Sequence, residues 1–436
     1  MLSHMQAADP AQPGSGPALR APALHATARL LGVLCLLAGG ATAQPSVGLS
    51  FERALALAAE RAPMLAARQA SVDAAQHSRT SADQLPDPRL TLGVDNLPIA
   101  GADRYSLTRD AMTQRSVGWM QEVPNAAKRA ARAQLADART ERERALLQAE
   151  QLAVRREVAQ AWLARYFAER RLELFHTLED ENRLLLDTLP ARIAGGKAMP
   201  GEATMARQET LQLADRRDEL ARDRAKALAS LRRWLGDEAQ QPLAGDPPAL
   251  AVVAADLHGQ LDRHADLQVF AGMADMAHAE AAEIEAAKKG DWAWQVGYSK
   301  RGPGYGDMVA FQFSLELPLW GERRQDPQIA AKRKEAQRIA SEREDLSRRH
   351  REEIDLQLAE LEELTRKLDR LRSAATPLAN ERVALALAAY ESARGDLAAV
   401  LAARRERVEL SLRAIDLEAQ QHALRAKLNY YVAEQR

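Results

Sequence analysis

The stretch from Asp291 to Trp320 restricts this chain more than any other. Trp292, Trp294, Val296 and Tyr298 alternate with the small or polar Ala293, Gln295, Gly297 and Ser299. After the glycine- and proline-rich loop Arg301 to Asp307, the residues Val309, Phe311, Phe313, Leu315, Leu317 and Leu319 alternate with Ala310, Gln312, Ser314 and Glu316. A period of two is that of a strand with one apolar face, and the loop predicts a hairpin. Each run has about the ten residues that carry a tilted strand across a bilayer. A weaker hairpin is predicted upstream, with strands over about 89–97 and 114–124: Leu90, Leu92 and Val94 alternate in the first, Val117, Trp119 and Val123 in the second. Four half-apolar strands with free edges cannot span hydrocarbon, where unpaired backbone groups are costly. The smallest membrane barrels have about eight strands, so the pattern demands that several copies of the chain close one barrel.

The rest of the sequence reads as helix. Aromatic residues are only 4% of the chain, and Ala, Leu, Arg and Glu dominate, the composition of long helices and coiled coils. Phe51 to about Gln84 predicts a helix pair or one broken helix, interrupted at Ala62-Pro63. A very long helix is expected over 125–189, up to Pro190, then a turn at Arg192 to Gly201 and a return helix over 202–236. A Pro- and Gly-punctuated linker follows, and the order returns: helix from Leu257 to Lys289, strands over about 291–300 and 309–319, a second long helix over 327–393, a turn at Arg394-Gly395 and a final helix over 396–431. Gln121-Glu122-Val123-Pro124 matches Leu315-Glu316-Leu317-Pro318, each followed by a basic helix start, and Gly196 answers Gly395. The chain is thus expected to be an internal duplication, with repeat 1 over 44–245 and repeat 2 over 246–436. In the final helix Leu397, Leu401, Val408, Leu412 and Ile415 form one seam and Leu410, Leu417 and Leu424 a second, which predicts neighbours on both sides.

Residues 1–43 read as an N-terminal extension and secretory signal: Arg20 and Arg29 precede the apolar run Leu30 to Ala38, and Ala41-Thr42-Ala43 has the A-x-A cleavage pattern. The single cysteine, Cys35, falls inside that run, so a mature chain would have no disulfide or thiolate metal site. A formal net charge of −1 with both signs mixed gives no basic surface for nucleic acid. No His-Glu-x-x-His, Walker loop, Gly-x-Ser-x-Gly or cysteine pair is present, so neither enzyme activity, catalytic residues nor a cofactor is expected. His258 and His264 are a scattered pair without a third ligand in view. Met273, Met276 and His278 offer soft ligands at helical spacing, though methionines on an alanine-rich helix more often pack.

Together these residues resemble the TolC-like outer membrane factors, the exit ducts of tripartite efflux pumps and type I secretion systems. The resemblance is carried by the Glu-x-Pro strand exits (Glu122 to Pro124, Glu316 to Pro318), the turn Arg192-x-x-x-Gly196, and Tyr390-Glu-Ser-Ala-Arg394-Gly395-Asp-Leu-Ala-Ala-Val400-Leu401-Ala-Ala-Arg404. In the last motif Ala402 stands where the family usually has Asp. The resemblance implies a homotrimer of mainly α chains: a 12-stranded β-barrel in the outer membrane, continuous with an α-helical coiled-coil barrel in the periplasm. It also implies an adaptor protein and an inner-membrane pump of the RND type as partners. On that reading Glu122 and Glu316 face the lumen, either as a cation-friendly ring or as ordinary solvated or ion-paired groups. Trp119, Trp292, Trp294 and Trp320 would belong to a membrane-interface girdle. Arg192, Gly195, Gly196, Arg394, Gly395 and Asp396 would form the tips that dock the adaptor. Asp95-Asn96-Leu97-Pro98 and Ser106 to Thr113 are similar to members paired with heavy-metal pumps, so metal cations or small toxic compounds are the expected cargo. A type I secretion duct and a pore-free secreted coiled-coil scaffold are the alternatives.

Overall fold

A computed structural model of the chain describes residues 48–431; the expected signal segment, with Cys35, lies outside the described residues. Helix α1 (Phe51–Arg61) is capped by the Ser50 hydroxyl, which accepts from the Arg53 N–H at 3.2 Å. Pro63 then restarts the chain as α2 (Pro63–Ser81), because the residue before a proline is held extended and proline suits a first helical turn. Strands β1 (Arg89–Asp95) and β2 (Gln114–Val123) lead into α3 (Ala126–Ala194) and α4 (Pro200–Leu235). A 3₁₀ turn and a bridge between Leu49 and Leu243 follow. The segment from Asp237 is therefore no free linker; it closes over the core beneath Ala239. The second half comprises α5 (Ala254–Gln260), α6 (Ala265–Ala286), β3 (Trp292–Lys300), β4 (Met308–Leu315), α7 (Gly321–Arg370), α8 (Thr376–Glu391) and α9 (Leu397–Asn429).

Three helix boundaries differ from expectation. Helix α3 runs through Pro190 to Ala194: the proline removes one amide donor, and the turn remains in place around the buried Leu185 and Leu189. Helix α7 begins at Gly321, where the Arg323 and Arg324 N–H groups both donate to the Trp320 carbonyl at 3.1 Å, and passes through Pro327. The second long helix is also interrupted, by a π-helical turn over Leu371–Ala375. Pro377, which cannot donate to the preceding turn, lies just beyond it, and the wide turn absorbs the defect.

The four strands form one antiparallel sheet in the order β1-β2-β3-β4, so the two hairpins pair with each other through β2 and β3. Every strand meets its helix at the same end, and both hairpin loops lie at the other. Away from the sheet the helices continue as neighbours. Helix α6 lies between α3 and α7, and further along α9 takes its place between α3 and the α7–α8 helix, with α4 on the outer side of α3. Both seams of α9 are buried within the chain: Leu397 and Leu401 pack with α3 and α8, Ile415 with Trp162 and Phe167 of α3, and Leu417 and Leu424 with Ile354, Leu364 and Leu368 of α7. The two seams thus require no second copy. Ion pairs lace the same contacts, including Arg170–Glu418 at 2.6 Å and Arg407–Glu181 at 2.7 Å. Among the described residues no helix is long and apolar enough to cross a membrane.

Candidate channel wall, junction and tip

Register decides which side chains share a face of the sheet. Directly paired residues point the same way. One face therefore carries Arg89, Thr91, Gly93 and Asp95 of β1, Ser116, Gly118, Met120 and Glu122 of β2, Ala293, Gln295, Gly297 and Ser299 of β3, and Ala310, Gln312 and Ser314 of β4. The other carries Leu90, Leu92, Val94, Val117, Trp119, Val123, Trp292, Trp294, Val296, Tyr298, Val309, Phe311, Phe313 and Leu315, with Gln121 toward the helical end and Arg115 and Lys300 at the loop end. The small and polar face is closely packed: a Cβ on Gly118 would come within 2.6 Å of the Thr91 hydroxyl. The apolar face is bare, with Leu92 73% and Phe311 81% exposed. An apolar surface of this extent needs a covering medium or partner.

Glu122 lies on the polar face, close to the helical end, and pairs with Arg89 at 3.1 Å. Glu316 does not share its position. Strand β4 ends at Leu315, and Glu316 follows it in the crossing to α7, its N–H donating to the Asp291 carbonyl at 2.8 Å. Gly290 explains the early ending: its φ is +67°, and a Cβ there would overlap the Glu316 carbonyl at 2.1 Å, so the two chain segments touch through backbone. Trp119, Trp292 and Trp294 all stand on the apolar face toward its helical end, with Trp292 against Phe313 at 5.6 Å. Trp320 lies past the strand, at the start of α7, and is exposed.

A polar clamp absent from the sequence reading joins the two halves at the helical end of the sheet. The Asp291 carboxylate accepts from the Asn125 N–H at 2.9 Å and from the Lys128 ammonium at 2.7 Å. Asn125 also caps α3, accepting from the Lys128 N–H at 2.8 Å, and donates to the Ala286 carbonyl at 3.0 Å. Burial raises the Asp291 carboxyl, but the hydrogen bonds and charge of Lys128 and Asn125 outweigh it and hold the group below its ordinary value. At the far end, the residues of the metal-pump-like motif fold their own loop. The Asp110 carboxylate accepts from the Met112 and Thr113 N–H groups at 2.7 and 3.2 Å, Ser106 accepts from Arg109 at 3.0 Å, and the Thr113 hydroxyl donates to the Asn96 carbonyl at 3.0 Å.

The two helical turns lie side by side. Arg192 stacks over the Tyr390 ring at 4.3 Å, and the buried Tyr390 hydroxyl donates to Glu202 at 2.5 Å, tying both turns together. The geometry revises which residues correspond. In the first turn Gly196 has φ +68° and Lys197 donates back to the Arg192 carbonyl; in the second Ala393 has φ +57° and Arg394 donates back to the Ala389 carbonyl. Ala393, not Gly395, is the counterpart of Gly196. Gly395 serves close packing instead, since a Cβ would meet that of Ala389 at 3.0 Å. Gly195 has an ordinary φ of −80°, Asp396 caps α9 by accepting from the Ala399 N–H at 2.8 Å, and Arg394 is exposed.

Met273, Met276 and His278 are not brought together. Met273 packs with Phe270 against Ala336 and Ile339, whereas His278 is exposed, five residues on and therefore well round the helix. His264, by contrast, gains partners no local motif could reveal: it is fully buried at the start of α6, beside Asp266 and against His350 of α7. His258 turns elsewhere, to Asp355 at 3.2 Å.

No protein-family model matches this chain, and no curated protein matches it in sequence. Solved structures do. A membrane protein from Pseudomonas aeruginosa superposes with a TM-score of 0.74 at 18% identity, covering 88% of this chain and 91% of its own. The CusC channel superposes with a TM-score of 0.75 at 14% identity, covering 88% and 92%. The chain has the TolC-like outer membrane channel fold. The outer membrane protein VceC from Vibrio cholerae agrees, with a TM-score of 0.70 at 17% identity over 88% of this chain and 96% of that one.

Proposed function

We propose that this protein is the outer-membrane exit duct of a tripartite efflux system, a passive, non-enzymatic channel reaching from the outer membrane into the periplasm. One observation carries the reading: a continuous four-stranded sheet, apolar on one face and polar on the other, in which the outer edges of β1 and β4 have no strand partner among the described residues. Such a sheet is at home in lipid only when its edges are closed by copies of itself. Three copies give the 12-stranded barrel that the resemblance implies, with the apolar face in lipid and the polar face around the lumen. The free margins of the helical layer agree. Leu378 and Leu385, seven residues apart on α8, and Leu211 on α4 are each exposed by 64% or more, as apolar residues awaiting a neighbour are. The two halves are read as repeats of one unit, which places both turns at the periplasmic tip, offered to an adaptor and through it to an RND-type pump. Glu122, with Arg89 beside it, lies at the lumen side of the barrel's periplasmic rim.

Heavy-metal cations are the proposed cargo, on the similarity of 95–98 and 106–113 to members paired with metal pumps; the folding role of those residues adds nothing for or against it. The purified protein in a planar bilayer should give discrete conductance steps, and a chain that forms no channel ends the duct reading. A deletion strain should become sensitive to copper, silver, cobalt, zinc or cadmium. Sensitivity to organic toxicants alone would leave the duct standing and remove the metals.

A further inference from the structure

Two buried histidines from different helices of the second half meet one aspartate. His264, 0% exposed, precedes α6; Asp266 is in its first turn; His350, 8% exposed, comes from α7. The Asp266 carboxylate oxygen lies 3.6 Å from His264 Nδ1 and 3.7 Å from His350 Nε2, and one ligand atom from each of the three residues falls within 4.8 Å of the others. These separations are too long for hydrogen bonds. They are close to the edge of a tetrahedron of nitrogen and oxygen ligands about 2.0–2.2 Å from a central ion, which is about 3.3 Å.

Two further observations point the same way. Among the described residues both ring nitrogens of His350 are buried and without a hydrogen-bond partner; Nδ1 has the Glu353 carboxylate 3.8 Å away, and at Nε2, which faces Asp266, a ligand would relieve a costly state. The surroundings also supply the outer hydrogen bonds that orient metal ligands. His264 Nε2 lies 3.2 Å from the Tyr430 carbonyl, to which its N–H donates, leaving the Nδ1 lone pair directed toward Asp266. The Tyr430 hydroxyl donates to Asp266 Oδ2 at 2.8 Å. Among the described residues the competitor for Nδ1 is the Asp266 N–H, at 3.3 Å, a weak bond that an ion would displace.

We infer that His264, Asp266 and His350 form a buried site for a borderline divalent cation of the zinc class, with water as the fourth ligand. Two imidazoles and a carboxylate suit Zn(II) or Co(II) rather than Ca(II) or Mg(II), which prefer oxygen alone. The ion would pin the start of α6 to α7 and, through Tyr430, to the end of α9. The site is part of the helical wall and is independent of what the duct carries.

The test uses the full chain, oligomeric in detergent, stripped with chelator and titrated with Co(II) alone. Wild type should bind one Co(II) per chain, with the visible absorption of a four-coordinate ion. His350→Leu, which replaces the two unpartnered nitrogens with apolar atoms, should keep the oligomer and lose the band. Tyr430→Phe should bind at least tenfold more weakly. The inference is overturned if stripped wild type takes up no Co(II), or if His350→Leu binds it as well as wild type. Should His350→Leu fail to assemble, the wild-type stoichiometry and the Tyr430→Phe affinity still decide: unchanged affinity in Tyr430→Phe counts against the site.

Discussion

At the scale of single residues, the most exposed weakness is Ala393. A left-handed backbone costs an L-residue roughly 1–2 kcal/mol, and Gly196 occupies the same conformation in the first turn at no such cost. Ala393→Gly should therefore raise the stability of the tip by about 1 kcal/mol, measurable as a higher melting temperature in detergent. Asp291 is the opposite case, a side chain with many obligations. Asp291→Ala should cost about 2 kcal/mol, because it removes a charge-assisted hydrogen bond and leaves the Asn125 amide without its acceptor. Its pH dependence has a definite sign. The carboxyl is held below its unfolded value, so its contribution is complete above the ordinary carboxylate range and fades as pH falls through the folded value. Melting curves of wild type and Asp291→Asn should differ at neutral pH and converge in acid. Neither Asp291 nor Ala393 was legible as special in sequence: one looks like a polar strand entry, the other like one more alanine.

Among elements, the helices were the most legible and their interruptions the least. Apolar spacing in α3 and α9 survives as buried contact, since a side chain's face on a helix follows from its position alone. Whether a proline ends a helix is a balance between one lost hydrogen bond and the packing on either side. Packing holds α3 together at Pro190, whereas Pro377 follows a π-helical turn. The second seam of α9 was legible, but what covers it was not: it meets α7 of the same chain. On the duct reading, the exposed leucines Leu378 and Leu385 of α8, with Leu211 of α4, are left for another copy. Leu378→Glu with Leu385→Glu should therefore weaken assembly while leaving the helical content of the chain intact, a split that size-exclusion chromatography and circular dichroism would show. Loss of helix together with assembly would mean that these leucines serve the chain's own fold.

For the whole molecule, the open edges of the sheet are the feature to test. Within one chain β1 and β4 are at opposite sides of the sheet, separated by β2 and β3. Cysteines placed one on each edge, for example at Thr91 and Gln312 on the polar face, with neighbouring positions scanned for register, should cross-link only between copies. The sole native cysteine, Cys35, falls in the segment expected to be removed. Oxidised samples on a denaturing gel should then show a ladder ending at three chains if the barrel closes as proposed. A ladder that continues beyond three would indicate another closure, and cross-linked single chains would contradict the open sheet.

By itself the sequence determined the local periods: two along the strands, near 3.6 along the helices, and therefore which residues turn apolar faces outward. Periodicity is a property of consecutive residues, so it can be read without knowing what lies opposite. It also determined that four strands of this kind cannot stand alone, which is a statement about backbone hydrogen bonding in lipid. Only the tertiary structure decided pairings between distant residues: β2 with β3, Asp291 with Asn125 and Lys128, Arg192 with Tyr390, and His264 with His350. Each brings together groups far apart in the chain through packing energies that no window of sequence contains.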